Sequence, residues 1–416
     1  MNSKPVAIVL GGTFPHITLI KKLQQRGYYT ILIDFYQNPP AKTAADEHIQ
    51  ESTLNKEKVL EIAKERNAKL IIATCIDQAN AIACYVAEKL GLPAPYSYEV
   101  ALNVTNKLLM KKIMVDNGIP TSKFYKLNHN SPYSGHNLQF PLIVKPADSN
   151  GSKGVRKACN NDELIEFSNN ALKISRVNEA IIEEFKEGRE IGIDCYIQNN
   201  EATVIMTRER VKIESNEDTI QQIYGSFWPA DLTPNNLLQI KKIADKIAKA
   251  FRLNNTPLMI QTIVNGEEIN VIEFAPRIGG GENYMLIEIL TGFDFISAAI
   301  NSFLEIPVKL NHQTPDFYLF DNYIYANPGV FGAGSGFNEL VKTNGIEYFN
   351  LYKAKGTEIG PDITSSNRIG VFVVKSKNTK ELLEKIKEVV QKIEIYDIDG
   401  VPIMRKDIYQ LSSFVR

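Results

Sequence analysis

The residues best placed to do chemistry are lysines and carboxylates set where apolar runs end. In residues 140–155, FPLIVKPADSNGSKGV, the run Pro141 to Val144 reads as a buried strand that ends in Lys145. Pro146 then stops it, because proline cannot donate to a ladder. An ammonium at the end of an apolar strand is costly unless it meets an anion. The loop that follows holds Ser149, Gly151, Ser152 and Gly154, small residues whose backbone N–H groups can turn toward a phosphate and close over it. The same stretch also suits an edge-strand lysine beside an ordinary turn, so it does not decide alone. A second lysine, Lys107, opens a helix expected over Thr105 to Gly118, away from its stripe of Leu108, Leu109, Ile113 and Met114. Two lysines on separate elements, with free N–H groups, are what a triphosphate needs.

Carboxylates follow. In IIEEFKEGRE, residues 181–190, a strand leaves through Glu183, Glu184, Phe185 and Lys186, where backbone groups can meet a purine edge. Glu190, four residues on, can accept from ribose hydroxyls. Further along, Leu258 to Val264 and Glu268 to Phe274 read as a hairpin turned at Asn265-Gly266. Gln261 and Glu273 on it offer hard oxygens suited to Mg²⁺. A two-residue turn pairing Val264 with Glu267 sends these two to opposite sides. A three-residue loop pairing Ile263 with Glu267, with Gly266 left-handed, sends them to one side, and this is the expected register. Arg277 and the glycines 279–281 come next, a fixed cation beside flexible backbone that can orient a carboxylate or a transferring phosphoryl group. Arg208 and Arg210, expected just beyond a strand over Val204 to Thr207, are candidates for a substrate's acid group; Arg210 fits a surface ion pair equally well.

The elements that must position these groups fall into distinct classes. Strands and helices alternate over the first 95 residues, the pattern of a doubly wound parallel sheet. Its first turn, GGTFPH, lacks the dinucleotide fingerprint G-x-G-x-x-G. Asp34 reads as a polar strand end and His16 as a helix-start histidine with a substrate contact left open. The hairpin in the middle marks an α+β unit, and short strands with a helix near 380–391 close the chain. The expected segments are 1–95, 96–185, 186–306 and 307–416. Lys+Arg 47 against Asp+Glu 48 leaves a net charge of −1, which gives no footprint for nucleic acid. No apolar run reaches membrane-spanning length, and the four cysteines, without C-x-x-C spacing, suit a reducing cytoplasm as small core residues. Motifs for a P-loop, a G-x-S-x-G nucleophile, an H-E-x-x-H zinc site or a protein kinase are absent.

Taken together, these motifs resemble the ATP-grasp superfamily along essentially the whole chain. LNVTNKLLMKKIMVDNGIPTSKF is similar to the leading helix of carbamoyl-phosphate-synthase-like members, with Lys107 as first nucleotide lysine. VKPADSNGSKGV is similar to the segment with the second, Lys145, and the phosphate loop; IIEEFKEGRE to the adenine hinge and ribose acid (Glu183, Phe185, Lys186, Glu190); and IQTIVNGEEINVIEFAPRIGGG to the metal-binding hairpin with Gln261, Glu273 and Arg277. The resemblance implies a pre-ATP-grasp parallel sheet, a two-lobed ATP-grasp domain and a small C-terminal α+β subdomain. It also implies ATP and Mg²⁺, an acyl phosphate made from a carboxylate, and capture by an amine. Glu273 and Arg277 would serve catalysis, while Arg208, Arg210, Gly279 and Gly280 would meet substrate. Where many members read Glu-x-Asn in the last motif, this chain has Ala275, which cannot coordinate a second metal. An amino-acid or peptide ligase is the first expectation. A ligase resembling glycinamide ribonucleotide synthetase or carbamoyl phosphate synthase is the second, and a catalytically weakened ATP-binding regulator the third. The expected partners are small-molecule carboxylate and amine substrates in the cytoplasm, with no nucleic acid or membrane, and a homodimer left open.

Overall fold

A computed structural model describes residues 4–128, 137–149, 153–213, 222–361 and 367–409. The chain forms two compact units. One takes the chain up to Thr121, Gly192–Thr207 and Leu232–Thr314; the other takes Ser122–Ile191, Arg208–Asp231 and the chain from Pro315 onward.

The first unit opens on a parallel sheet. Val6–Leu10 pairs with Tyr29–Asp34 on one side and Ala68–Ile72 on the other, and Glu47–Gln50 extends it beyond Tyr29–Asp34. The runs VAIVL and LII are wholly or almost wholly buried, as strands covered on both faces must be. Helices Phe14–Gln25 and Asp77–Leu90 follow the first and last of these strands; Ala73–Thr74–Cys75–Ile76 bridges the latter step. The strand order, 47–50, 29–34, 6–10, 68–72, reverses direction of growth at Val6–Leu10. That reversal opens a crevice at the carboxyl ends of 6–10 and 68–72.

The helix expected from Thr105 is Lys107–Asp116, preceded by a separate helix. Tyr98–Thr105 ends where Asn106 caps Lys107–Asp116, its side chain accepting from the Leu108 and Leu109 N–H groups at 2.9 and 3.2 Å. Lys107 is thus the first helical residue.

The hairpin of this unit, Thr256–Asn265 with Glu268–Ala275, corrects the expected register. Asn265 pairs with Glu268, so the loop is Gly266–Glu267, two residues and not three, with Gly266 at φ 56°. That register alone would send Gln261 and Glu273 to opposite faces. A bulge at Ile272 restores them: Thr262 pairs with Val271, and Gln261 pairs directly with Glu273. The same-side arrangement is therefore reached by a different device.

The second unit has three sheet regions, one of them the small sheet of Glu358–Ile359, Gly329–Ser335 and Glu394–Asp397. Phe124–Asn128, Glu179–Glu184, Leu142–Pro146 and Arg156–Ala158 form an antiparallel sheet in that order, backed by Asn161–Ile174 through Leu164, Ala171 and Leu172. Ile223–Trp228, Tyr318–Ile324, Gly370–Ser376 and Tyr348–Leu351 form another antiparallel run, on which the amphipathic helix Thr379–Lys392 packs Leu382, Ile386 and Val389. The strand expected over Val204 to Thr207 runs on through the charged residues beyond it: Glu201–Lys212 is continuous, and its end pairs with Ile223–Trp228 (Arg210 with Ser226). Strands 47–50, 223–228 and 329–335 and the helices 98–105 and 337–342 are further elements found only in the structure.

Gly225 lies where its strand meets Tyr318–Ile324 so closely that a Cβ there would sit 2.4 Å from the Asp321 carbonyl oxygen. Gly225→Ala forces backbone apart and is expected to cost about 1–3 kcal/mol. An unchanged midpoint in a denaturant melt would overturn that packing.

Candidate active site

In the first unit the bulged hairpin places the Gln261 carboxamide directly opposite the Glu273 carboxylate. The Lys107 ammonium donates to Glu273 Oε2 from the first turn of its helix. Both side chains are largely covered, at 14% and 28% exposure, which strengthens the pair over a surface one. The three predicted groups therefore gather at one place: two hard oxygen donors and a cation. No cluster of three or more His, Cys, Asp or Glu side chains is present among the described residues. The donor set nonetheless fits Mg²⁺, which keeps waters and takes few protein ligands, completing its shell with phosphates. Ala275, two residues beyond Glu273, adds no oxygen.

Arg277 is already held. Its Nε and Nη2 donate to the two oxygens of Asp77 at 2.6 and 2.9 Å, and Nη1 donates to the Ile278 carbonyl at 2.8 Å. Burial works against its charge, but Asp77 outweighs that and holds the guanidinium more firmly protonated than usual. Asp77 was not among the predicted groups. The signal was there: an acid opening a helix straight after a parallel strand. Gly279 is packed, since a Cβ there would meet the Asn283 amide at 2.3 Å, whereas Gly280 has open space around its Cα.

In the second unit Lys145 is 4% exposed and pairs with Glu183, 5% exposed, at 2.8 Å across adjacent strands. The expected need for an anion is met inside the protein. Ser149 Oγ donates to the Lys153 carbonyl at 2.9 Å. Gly154 has φ 76°, and a Cβ on it would press to 2.8 Å from Ile174. Gly151 and Ser152 lie outside the described residues. Phe185 lies under the Lys157 ammonium, 4.6 Å from the ring centre, a neighbour the sequence reading missed. Lys186 is half-buried just beyond the strand. Glu190 accepts from Arg210 and lies 3.8 Å from Lys212. Arg210 thus makes an ion pair, partly covered, from within the strand. Arg208, on the same strand face, is 3% exposed and stacks over Trp228 at 4.9 Å.

At the parallel-sheet crevice, Asp34 Oδ2 accepts from the Gly12 N–H at 2.7 Å and Oδ1 from the Tyr36 N–H at 2.8 Å, the structural role read from sequence. His16 is fully buried in the first turn of its helix, its Nδ1 2.8 Å from Thr13 Oγ1. Of the cysteines, Cys84 and Cys195 are core residues; Cys159 is exposed and Cys75 half-buried, so the expectation of four core thiols is corrected.

Two stretches of the chain match known domain families. Residues 138–284 match the ATP-grasp domain family model, and residues 322–396 match L-amino acid ligase C-terminal domain 2. An L-arginine-specific L-amino acid ligase of Bacillus subtilis is 28% identical over 249 residues, 58% of this chain and 59% of that protein. A formate-dependent phosphoribosylglycinamide formyltransferase of Prochlorococcus marinus is 24% identical over 375 residues, 88% of this chain and 92% of that one. Among solved structures, an L-amino acid ligase from Bacillus licheniformis shares the fold at TM-score 0.80 and 18% identity, covering 95% of this chain and 100% of the other. A phosphoribosylglycinamide synthetase from Anaerococcus prevotii does so at 0.73 and 21%, covering 94% and 99%. Residues 138–284 thus form an ATP-grasp domain, followed by an L-amino acid ligase C-terminal domain, and proteins similar to the chain include an amino-acid ligase. No single helix among the described residues is long and apolar enough to cross a membrane.

Asp77→Ala would strand the covered Arg277 charge and is expected to cost about 3 kcal/mol. An unshifted denaturation midpoint would show that Asp77 does not hold Arg277.

Proposed function

We propose that this protein is an ADP-forming ligase that activates a carboxylate as an acyl phosphate and joins it to an amine, with an amino acid as the carboxylate. The observation that carries the reading is the convergence of Lys107, Glu273 and Gln261 on the bulged hairpin. The ligase C-terminal domain supports the choice of an amino-acid substrate. We assign the functional segments 1–95, 96–185, 186–306 and 307–416 to this reading, and the cytoplasm as the compartment that supplies its ATP.

In the first unit, Gln261 and Glu273 would hold Mg²⁺ and Lys107 the phosphate charge. Magnesium bound there supplies charge neutralisation for the phosphoryl group in transfer. Arg277, fixed by Asp77, would orient the carboxylate to be activated, with Gly280 allowing close approach of backbone. In the second unit, Lys145, Ser149 and Gly154, with Gly151 and Ser152, would hold the triphosphate tail. Glu183, Phe185, Lys186 and Glu190 would take the base and ribose. Arg208 and Arg210 would bind the substrate's acid group. The acyl carbon is then attacked by the amine nitrogen: the carbon–nitrogen bond forms, the carbon–oxygen bond to phosphate breaks, and the amine proton leaves to solvent. No protein nucleophile is needed.

A second reading, a ligase acting on a phosphoribosyl amine, is supported by the breadth of the formyltransferase match. ADP release with Mg-ATP against amino acids, singly and in pairs, separates the two: stimulation by amino acids supports the first. Stimulation only by a phosphoribosyl amine with a small carboxylate supports the second, and ATP binding with silence on both panels would leave a regulator. Lys145→Ala is expected to reduce ADP release about a hundredfold or more with the fold retained by circular dichroism. Undiminished release would remove Lys145 from the nucleotide site. Glu273→Ala should raise the magnesium concentration needed for half-maximal turnover, and an unmoved titration would remove the hairpin site.

A further inference from the structure

The crevice of the parallel sheet holds a group that the ligase chemistry does not use. Cys75 follows the strand Ala68–Ile72 and precedes the helix Asp77–Leu90, so it sits at the switch point of the sheet beside a helix N-terminus. Its Sγ lies 3.4 Å from Thr13 Oγ1 and 3.9 Å from His16 Nδ1, on the turn and helix that follow the neighbouring strand. Two polar atoms at these strand ends have no hydrogen-bond partner within the described residues: Thr74 Oγ1, in a residue 1% exposed, and His16 Nε2, in a residue 0% exposed. The crevice is therefore polar and only partly satisfied, while the thiol in it stays half-buried and within reach of a small reagent.

The charges that face the sulfur come from three elements besides its own. His16 lies on the first helix, Arg277 follows the hairpin, and Tyr284 lies on Asn283–Thr291; Asp77 is on the helix that Cys75 leads into, tied to Arg277. Burial pushes the Cys75 thiol up, but His16, by charge and hydrogen bond, then Thr13 and Arg277, bring it down to about 7. Cys84 and Cys195, buried without such partners, are pushed far above the ordinary thiol range.

We propose that Cys75 is a reactive thiolate held beside His16 and Thr13, and that it is a modification site for low-molecular-weight disulfides. The step is an exchange. The Cys75 thiolate attacks one sulfur of a disulfide RSSR; its bond to the other sulfur breaks, a Cys75–S–S–R bond forms, and RS⁻ departs with the electron pair. The protein is oxidised to the mixed disulfide and half of the reagent is reduced to thiol. The exchange removes a negative charge from beside Arg277. It stands apart from the ligase reading and is tested without turnover.

The full-length protein is treated with a dithiodipyridine at several pH values, thiopyridone release is followed, and the modified peptides are mapped by mass. One fast equivalent at pH 6 mapping to Cys75, about fivefold faster than exposed Cys159, is the expected result. The wild-type rate should rise through an inflection near 7. The fast phase should vanish in Cys75→Ser, persist in Cys159→Ser and slow in His16→Gln. A fast phase that survives Cys75→Ser, or a wild-type profile inflecting only in the ordinary thiol range, overturns the proposal. Because both the profile and the mapping are read on the wild-type chain, an unstable variant does not remove the test.

Discussion

A cation taken out of water must be answered by an anion, and this constraint organises every candidate site in the chain. Lys107 meets Glu273, Lys145 meets Glu183, Arg210 meets Glu190, and Arg277 meets Asp77. Each pair joins residues far apart in sequence, so each also fixes two elements against one another inside its own unit. An isolated ammonium buried as deeply as that of Lys145 would lose its proton or unfold its strand. Paired with Glu183, it is held in place. The side-chain ordering of each cation has been met in folding.

The two units solve this with different architecture. The first gathers its groups from a helix start, a bulged hairpin and a parallel-sheet crevice. The second gathers them across antiparallel strands, Lys145 with Glu183 and Glu190 with Arg210. Strand pairs are suited to this because neighbouring side chains on one face lie within reach of each other. Helix starts are suited because their N–H groups and dipole favour the anion, as at Asp77.

Much of this was legible from local pattern. VAIVL, the helix ended by Gly91 and a hairpin turning at Gly266 have short-range signatures, and the structure carries each, with the turn one residue later than Asn265-Gly266. Glu201–Lys212 was misread because RERVK looks solvated. Cross-strand Glu190 and Arg189 and the Trp228 ring help make such charges tolerable inside a sheet, and none is near in sequence. Asp77 was passed over for the same reason, its partner lying at Arg277. The bulge at Ile272 leaves no mark in composition, since an extra residue in a ladder looks like any other apolar strand residue. Cys75 was read as core because a thiol's neighbours, not its type, decide its chemistry.

The bulge at Ile272 also says something about how this hairpin can change. The alignment of Gln261 with Glu273 depends on a count: the residues in the turn plus the one looped out of the ladder. One residue moved from the ladder to the turn leaves that count unaltered. A relative with a flat ladder and a loop one residue longer would present the same two oxygens. Either change alone would rotate one of them to the far side. The turn and the bulge form a compensating pair, across which insertions and deletions can trade without disturbing the site.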